Sequence, residues 1–158
     1  MAFELVIIKR EPVSLLPDQN VADLAETADR LLAQLDRDVP GAGSLRGECR
    51  PALDVLETAR TVEVVVDLPG VPSNAVRVAI RRNAVLIVGA KLPPAMKSPA
   101  RFHLAERSYG RFARVVRVGG SVDASQARAV SRGGVLRVVI PRVEDRRGRV
   151  FEIPVERP

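Results

Sequence analysis

Between residues 52 and 141 the apolar residues recur in short runs, mostly at every second position. This is the period of β-strands that bury one face. Seven such runs lie at 53–55, 62–68, 76–80, 85–88, 112–118, 126–130 and 135–140. Turn-forming pairs lie between several of them, at Pro69-Gly70, Arg82-Asn83 and Gly133-Gly134. The pattern predicts an all-β protein with an antiparallel β-sandwich.

The first 50 residues follow a helical period instead. The apolar positions with this spacing are Val21, Leu24, Ala25, Ala28, Leu31, Leu32 and Leu35. Asn20 is a suitable N-cap, and Val39-Pro40-Gly41 would end the helix. We therefore expect an amphipathic helix at about 20–38, followed by a flexible glycine-rich linker at 41–47.

The end of the chain carries an isolated apolar tripeptide. Pro141 closes the last predicted strand, because it cannot donate to a sheet ladder. Further on, Pro154 holds Ile153 and Val155 extended, so their side chains share one face within a charged tail. Such a segment cannot form its own core and needs a groove elsewhere. The expected organisation is an N-terminal arm (1–50), a sandwich domain (51–141) and a C-terminal extension (142–158).

A proline-rich stretch at 91–100 interrupts the strands, and its three prolines exclude a helix or a central strand. At its end lies a short extended piece made of Arg101, Phe102, His103 and Leu104. This piece would stand away from its own sandwich. It could instead extend the sheet edge of a partner chain.

The formal charge of +6 is unevenly distributed. Residues 1–50 hold six Lys/Arg and nine Asp/Glu, whereas residues 51–141 hold fourteen and six. A nucleic-acid or anionic-membrane surface is one interpretation of the basic middle. The other is an Arg-rich solvated sheet face against which the acidic arm, or a neighbour's arm, folds. No basic run exceeds two residues and aromatic residues make up 3%, which favours the second interpretation.

The composition is typical of a globular protein of the cytoplasm. Hydrophobic residues make up 46% of the chain, and no apolar run reaches the roughly 18 residues of a membrane span. The apolar stretch at the N-terminus, residues 1–9, is too short for a secretion signal, and it contains Glu4. Cys49 is the one cysteine, expected as an exposed linker thiol, so no intrachain disulfide can form.

No catalytic, cofactor or metal site is expected. His103 is the sole histidine, and its neighbours Glu106 and Ser108 are not expected to converge with it in a pocket. One cysteine and one histidine cannot make a zinc set, and the glycines at 41–47 do not connect a strand to a helix as a dinucleotide loop does. The chain is therefore not expected to be an enzyme.

Five stretches occurring in order resemble the α-crystallin domain of small heat-shock proteins over about 51–155. They are Asp54-Val-Leu-Glu-Thr58, Val64-Val-Val-Asp-Leu-Pro-Gly-Val71, Glu106-Arg-Ser-Tyr-Gly-Arg-Phe112, Ala129-Val-Ser-Arg-Gly-Gly-Val-Leu136 and Ile153-Pro154-Val155. The resemblance implies an immunoglobulin-like sandwich, dimers that exchange a loop strand, and oligomers joined by the C-terminal clip. It also implies ATP-independent holding of partly unfolded client proteins.

The resemblance assigns roles to individual residues. Ile153, Pro154 and Val155 match the clip, and Val76 and Val78 with Ala127 and Ala129 match the two walls of its receiving groove. The segment 101–104 matches the exchanged strand, and Arg117 matches an arginine at the dimer contact.

Client-binding residues are expected in the arm, which lacks a core of its own. The candidates are Leu5, Ile7, Leu15, Leu16, Leu24, Leu31 and Leu35. The helix that holds the last three could equally pack on its own chain or on another subunit. The alternative function is an adaptor of the related CS-domain type, which docks on a folded partner and holds no clients.

Overall fold

The computed structural model describes residues 18–143, with the side chains of residues 21–143. One α-helix, α1 (Asp18–Asp38), precedes seven strands. The strands are β1 (Leu53–Glu57), β2 (Thr61–Asp67), β3 (Val76–Arg81), β4 (Ala84–Lys91), β5 (Gly110–Arg117), β6 (Arg128–Arg132) and β7 (Val135–Pro141).

The strands form two antiparallel sheets, in the orders β1-β2-β7-β6 and β3-β4-β5. Their facing sides enclose one hydrophobic core. In β2 the alternate residues Val62, Val64 and Val66 are fully buried, as the period of two predicts for a strand with one inward face. The predicted β-sandwich is confirmed.

Strand β4 departs from this alternation, because every residue from Ala84 to Ala90 is buried. One face of β4 points into the sandwich. Its other face is covered by α1, which packs on β3 and β4 and buries Leu24 and Leu35. A strand buried on both faces needs a nearly continuous apolar sequence, which β4 has.

The helix differs from the sequence expectation in two respects. It begins at Asp18, so Asn20 lies within the first turn and is not the N-cap. Its apolar stripe is also part of the hydrophobic core. Leu35 belongs to the core and is 1% exposed, and Leu31 packs half-buried against the core. The arm is therefore part of the folded unit from Leu24 onward.

The segment after the helix is also packed. Ala42, in a short 3₁₀ helix at Ala42–Ser44, is fully buried, and Val39 is 4% exposed. The backbone N–H of Cys49 donates to the carbonyl of Arg111 at 3.1 Å, and its side chain is 8% exposed. The prediction of an exposed thiol at Cys49 was wrong. The segment that contains Cys49 packs against β5, so the thiol is buried.

Two of the three predicted turn pairs connect hairpins, whereas Pro69-Gly70 lies between β2 and β3, which belong to different sheets. Gly133 and Gly134 join β6 to β7 with φ of 58° and 79°, and Arg82 joins β3 to β4 with φ of 55°. Two positive φ values in a two-residue loop are typical of type I′ turns. Strand β6 begins at Arg128, later than the predicted 126, because Ala124–Gln126 forms a 3₁₀ turn capped by Asp123.

Gly89 lies at a point of close packing inside the sandwich. A Cβ at this position would lie 2.3 Å from the Phe112 ring and 2.8 Å from the carbonyl oxygen of Ala75. We expect Gly89→Ala to lower the free energy of unfolding by about 1–3 kcal/mol, measured by urea denaturation.

The matched control is Gly89→Ala combined with Phe112→Leu, which makes room for the methyl group. The double variant should recover part of the loss, giving a non-additive cycle. Purely additive losses would show that the ring and Gly89 do not compete for this space.

Candidate functional site

An open groove runs between β3 and β6, where the two sheets meet. Its volume is about 250 Å³. The residues that line it are Val78, Ile80, Ala124, Ala127, Arg128, Ala129 and Val138. Both strands are edges of their sheets, so backbone donors and acceptors lie beside apolar walls. Such a groove can take a short extended segment with aliphatic side chains.

Three of the four groove residues named from the sequence, Val78, Ala127 and Ala129, lie together in this groove. Val76 is on the same face of β3 but is 9% exposed and does not line the opening. Ile80, two residues further along the strand, lines it instead. The clip, Ile153, Pro154 and Val155, lies outside the described residues, so its occupancy of the groove stays a prediction.

The free edge of β1 presents a second apolar surface. Val55 and Leu56 on this edge are 38% and 46% exposed.

The loop between β4 and β5 contains no strand, and Arg101 and His103 are exposed in it together with Phe102 and Leu104. Phe102 is 60% exposed and Leu104 is 72% exposed. The extended piece expected at 101–104 is thus unpaired within the described single chain.

Arg117 lies at the end of β5, away from this loop. It lines a shallow pocket with residues of α1 and of the β3–β4 turn, and residues 101–104 do not line that pocket. The other lining residues are Asp23, Leu24, Arg81, Arg82, Asn83 and Ala84. Whether Arg117 contacts a second subunit stays a prediction.

Arg114 is a residue that the sequence analysis missed. It is paired with Ile87 of β4 and shares the inward face of β5 with Phe112. Its guanidinium donates to the carbonyl of Pro51 at 2.6 Å, just before β1. Burial lowers the pKa of Arg114, and the positive charge of Arg50 lowers it further. The signal was present, since the alternation of β5 places an arginine where an apolar residue is expected.

Helix α1 is joined to the three-stranded sheet by ion pairs. Arg77 and Arg81 of β3 bind Asp38 and Asp23 at 2.6 Å and 2.9 Å. Arg111 of β5 binds a third carboxylate, that of Asp36. The interpretation of the charge pattern as an acidic arm folded on a basic sheet face is therefore confirmed.

Of the client-binding candidates, Leu24 and Leu35 of α1 are buried between the helix and the three-stranded sheet, and Leu31 is half-buried there. Leu5, Ile7, Leu15 and Leu16 lie outside the described residues. Within the described part of the chain, no three His, Cys, Asp or Glu side chains are placed to hold a metal ion. In the same range, no helix has the length and apolar character needed to cross a membrane.

Comparison with known proteins gives one family. The model of the Hsp20/alpha crystallin family matches residues 54–156. The chain is 29% identical to small heat shock protein C4 of Rickettsia felis over 103 residues, 65% of this chain and 63% of that protein. It is 34% identical to an 18.9 kDa heat shock protein of Oryza sativa subsp. japonica over 105 residues, 66% of this chain and 59% of that protein. The chain thus spans about three fifths of the length of these relatives.

A solved structure gives the same result for the fold. Heat shock protein 16.0 from Schizosaccharomyces pombe superposes with a TM-score of 0.57 at 29% identity, covering 69% of this chain and all of the other. The family match covers well over half of the chain, and it includes both the sandwich and the clip sequence. The chain belongs to the Hsp20/alpha crystallin family of small heat-shock proteins.

Proposed function

We propose that this protein is an ATP-independent holdase, which binds partly unfolded proteins and limits their aggregation under stress. The observation that carries the proposal is the family match over residues 54–156. Partly unfolded chains aggregate through exposed apolar segments and strand edges. A protein that covers such segments prevents this without any chemical step, so the proposed activity needs no nucleotide and no cofactor.

Two surfaces of the described structure support a self-assembling holdase. The groove between β3 and β6 has apolar walls and open strand edges, and the apolar side chains of Phe102 and Leu104 are exposed in the β4–β5 loop. A monomeric adaptor of the CS-domain type would need neither surface. The family match and the two relatives above also do not favour the adaptor.

The proposed assembly has two contacts. The segment 101–104 of one subunit adds as a strand to the β1 edge of a second, beside the exposed Val55 and Leu56. The clip of each subunit enters the groove of a neighbouring dimer and joins dimers into larger homo-oligomers.

The clip contact predicts the effect of a double substitution. Ile153→Ala with Val155→Ala should convert the oligomers to dimers in size-exclusion chromatography. Two aliphatic side chains entering a dry groove contribute a few kcal/mol, at about 25 cal/mol per Å², and this gain is repeated at every subunit. Val143→Ala is the control, since Val143 is exposed but lies before the clip. An unchanged elution volume for the double variant would contradict the clip role.

The loop contact predicts a different product. In a chain that already carries Ile153→Ala and Val155→Ala, Phe102→Asp with Leu104→Asp should convert the dimers to folded monomers in analytical ultracentrifugation, because charges would replace the apolar groups that meet β1. Met96→Asp is the matched control, being 51% exposed in the same loop. If dimers with an intact sandwich persist after Phe102→Asp and Leu104→Asp, subunits meet through another surface.

The arm predicts where holding activity resides. In light scattering of a heated model client without nucleotide, the full chain should suppress aggregation. Replacing Leu5, Ile7, Leu15 and Leu16 by Ser should weaken suppression several-fold at equal molar amounts, because apolar contact area is lost.

Val130→Ser is the control for this set, because Val130 is 60% exposed on β6 and lies outside the arm. A greater loss with Val130→Ser than with the arm variant would place the client site on the sandwich. Absence of suppression by the full chain itself would contradict the holdase proposal.

A further inference from the structure

The register of the three-stranded sheet divides its residues between two faces. On the face turned away from the sandwich, here called the outer face, the central row is Ala84, Leu86, Val88 and Ala90 of β4. Ala79 of β3 and Ala113 and Val115 of β5 lie opposite members of this row. The centre of the outer face is therefore apolar, and several of its side chains are single methyl groups.

Arginines surround this apolar centre. Arg77 and Arg81 stand on the β3 side, and Arg111 and Arg117 stand on the β5 side of the same face. Each of the first three is ion-paired with α1. An apolar strip with cationic borders is complementary to a helix that has an apolar stripe and acidic flanks.

Helix α1 has this composition. It contains six acidic and two basic residues, a net charge of −4, and its stripe buries Leu24 and Leu35 on the outer face. The small alanines of the sheet allow the helix to approach closely. The fit therefore depends on a pattern of charge and apolarity that other sequences can share.

The contact is suited to exchange. The carboxylates of Asp23 and Asp38 remain 39% and 56% exposed in their ion pairs, and such pairs contribute little individually. The helix packs on β3 and β4, whereas Ala113 on the β5 side stays exposed and Val115 half-exposed. This uncovered strip gives an incoming segment a place to bind before α1 has left.

We propose that the outer face is a docking surface for acidic amphipathic helices. In the resting chain α1 occupies this face, and client segments of the same chemistry displace it. This rests on the proposed holdase function and names a class of client segment for it. Displacement would also uncover Leu24, Leu31 and Leu35, so that one binding event adds a second apolar surface.

The test uses the full chain and fluorescence anisotropy of labelled peptides. In the helix variant, Asp23→Arg, Asp36→Arg and Asp38→Arg together, the protein's own helix is repelled and the outer face is unaltered. A peptide of unrelated sequence with a leucine stripe and Asp/Glu flanks should bind this variant about five- to tenfold more tightly than it binds the wild type. The size of the effect follows from losing three partly exposed ion pairs that each contribute about twofold.

The matched control is the same peptide with Lys in place of Asp and Glu, which should bind the helix variant weakly. In the face variant, Arg77→Glu, Arg81→Glu and Arg111→Glu together, this preference should reverse. Equal binding of both peptides to the helix variant would overturn the proposal, and so would equal affinity of the acidic peptide for the helix variant and the wild type. Binding of the 18–38 peptide alone would also overturn it, since the face would then serve α1 of a second copy.

Light scattering on the same proteins separates this proposal from the holdase proposal. Client protection without any charge preference among the peptides would reject the docking surface and retain the holdase. Charge-selective peptide binding without client protection would reject the holdase and retain the docking surface. Thermal unfolding of both variants, followed by circular dichroism at strand wavelengths, verifies that the sandwich is intact.

Discussion

The double-sided burial of β4 is the constraint on which the rest of this structure depends. A sandwich strand ordinarily buries one face, but β4 is apolar on both and must be covered twice. The four-stranded sheet covers its inner face, and α1 covers its outer face. Without the helix, Leu86 and Val88 would be exposed to water in a contiguous patch. The helix is thus required by the sheet beneath it, and its leucines are committed to the core in the resting chain.

Charge complements this burial. The acidic arm and the basic sandwich neutralise one another where α1 crosses the sheet, through Asp23, Asp36 and Asp38. These pairs lie at the border of the contact and are partly exposed, so each adds little to stability. Their contribution is to orientation, because a helix placed in the reverse direction would not bring its carboxylates to the same arginines. Apolar burial holds the helix on the sheet, while the ion pairs select how it lies.

Free sheet edges present the opposite problem, since they can pair with any extended chain. The outer strands of the four-stranded sheet carry charges along these edges: Asp54 and Glu57 on β1, and Arg128 and Arg132 on β6. Charged edges oppose unselective pairing but still admit a segment whose apolar residues match the exposed positions. This combination agrees with the proposed pairing of subunits through apolar segments that match these edges.

The strands, the hairpin turns and the helix follow from residues that are near one another in the sequence, so the local pattern was sufficient to predict them. The period of two in β2 and the Gly133-Gly134 turn are of this kind, and so is the groove wall formed by Ala127 and Ala129 once the family resemblance is included. The local pattern also contained an inward arginine, Arg114, whose meaning appears only beside its acceptor at Pro51.

Which surfaces meet was decided by the tertiary structure alone. The amphipathic stripe of α1 is equally compatible with packing on its own sheet, on another subunit or on a client, because the period shows an apolar face but not its partner. Contact with β4, burial of Cys49 against β5 and the replacement of Val76 by Ile80 at the groove opening all depend on segments far apart in the chain. Such contacts form only when the two sheets close, because closure sets the distances and fixes which side chains exclude water from one another.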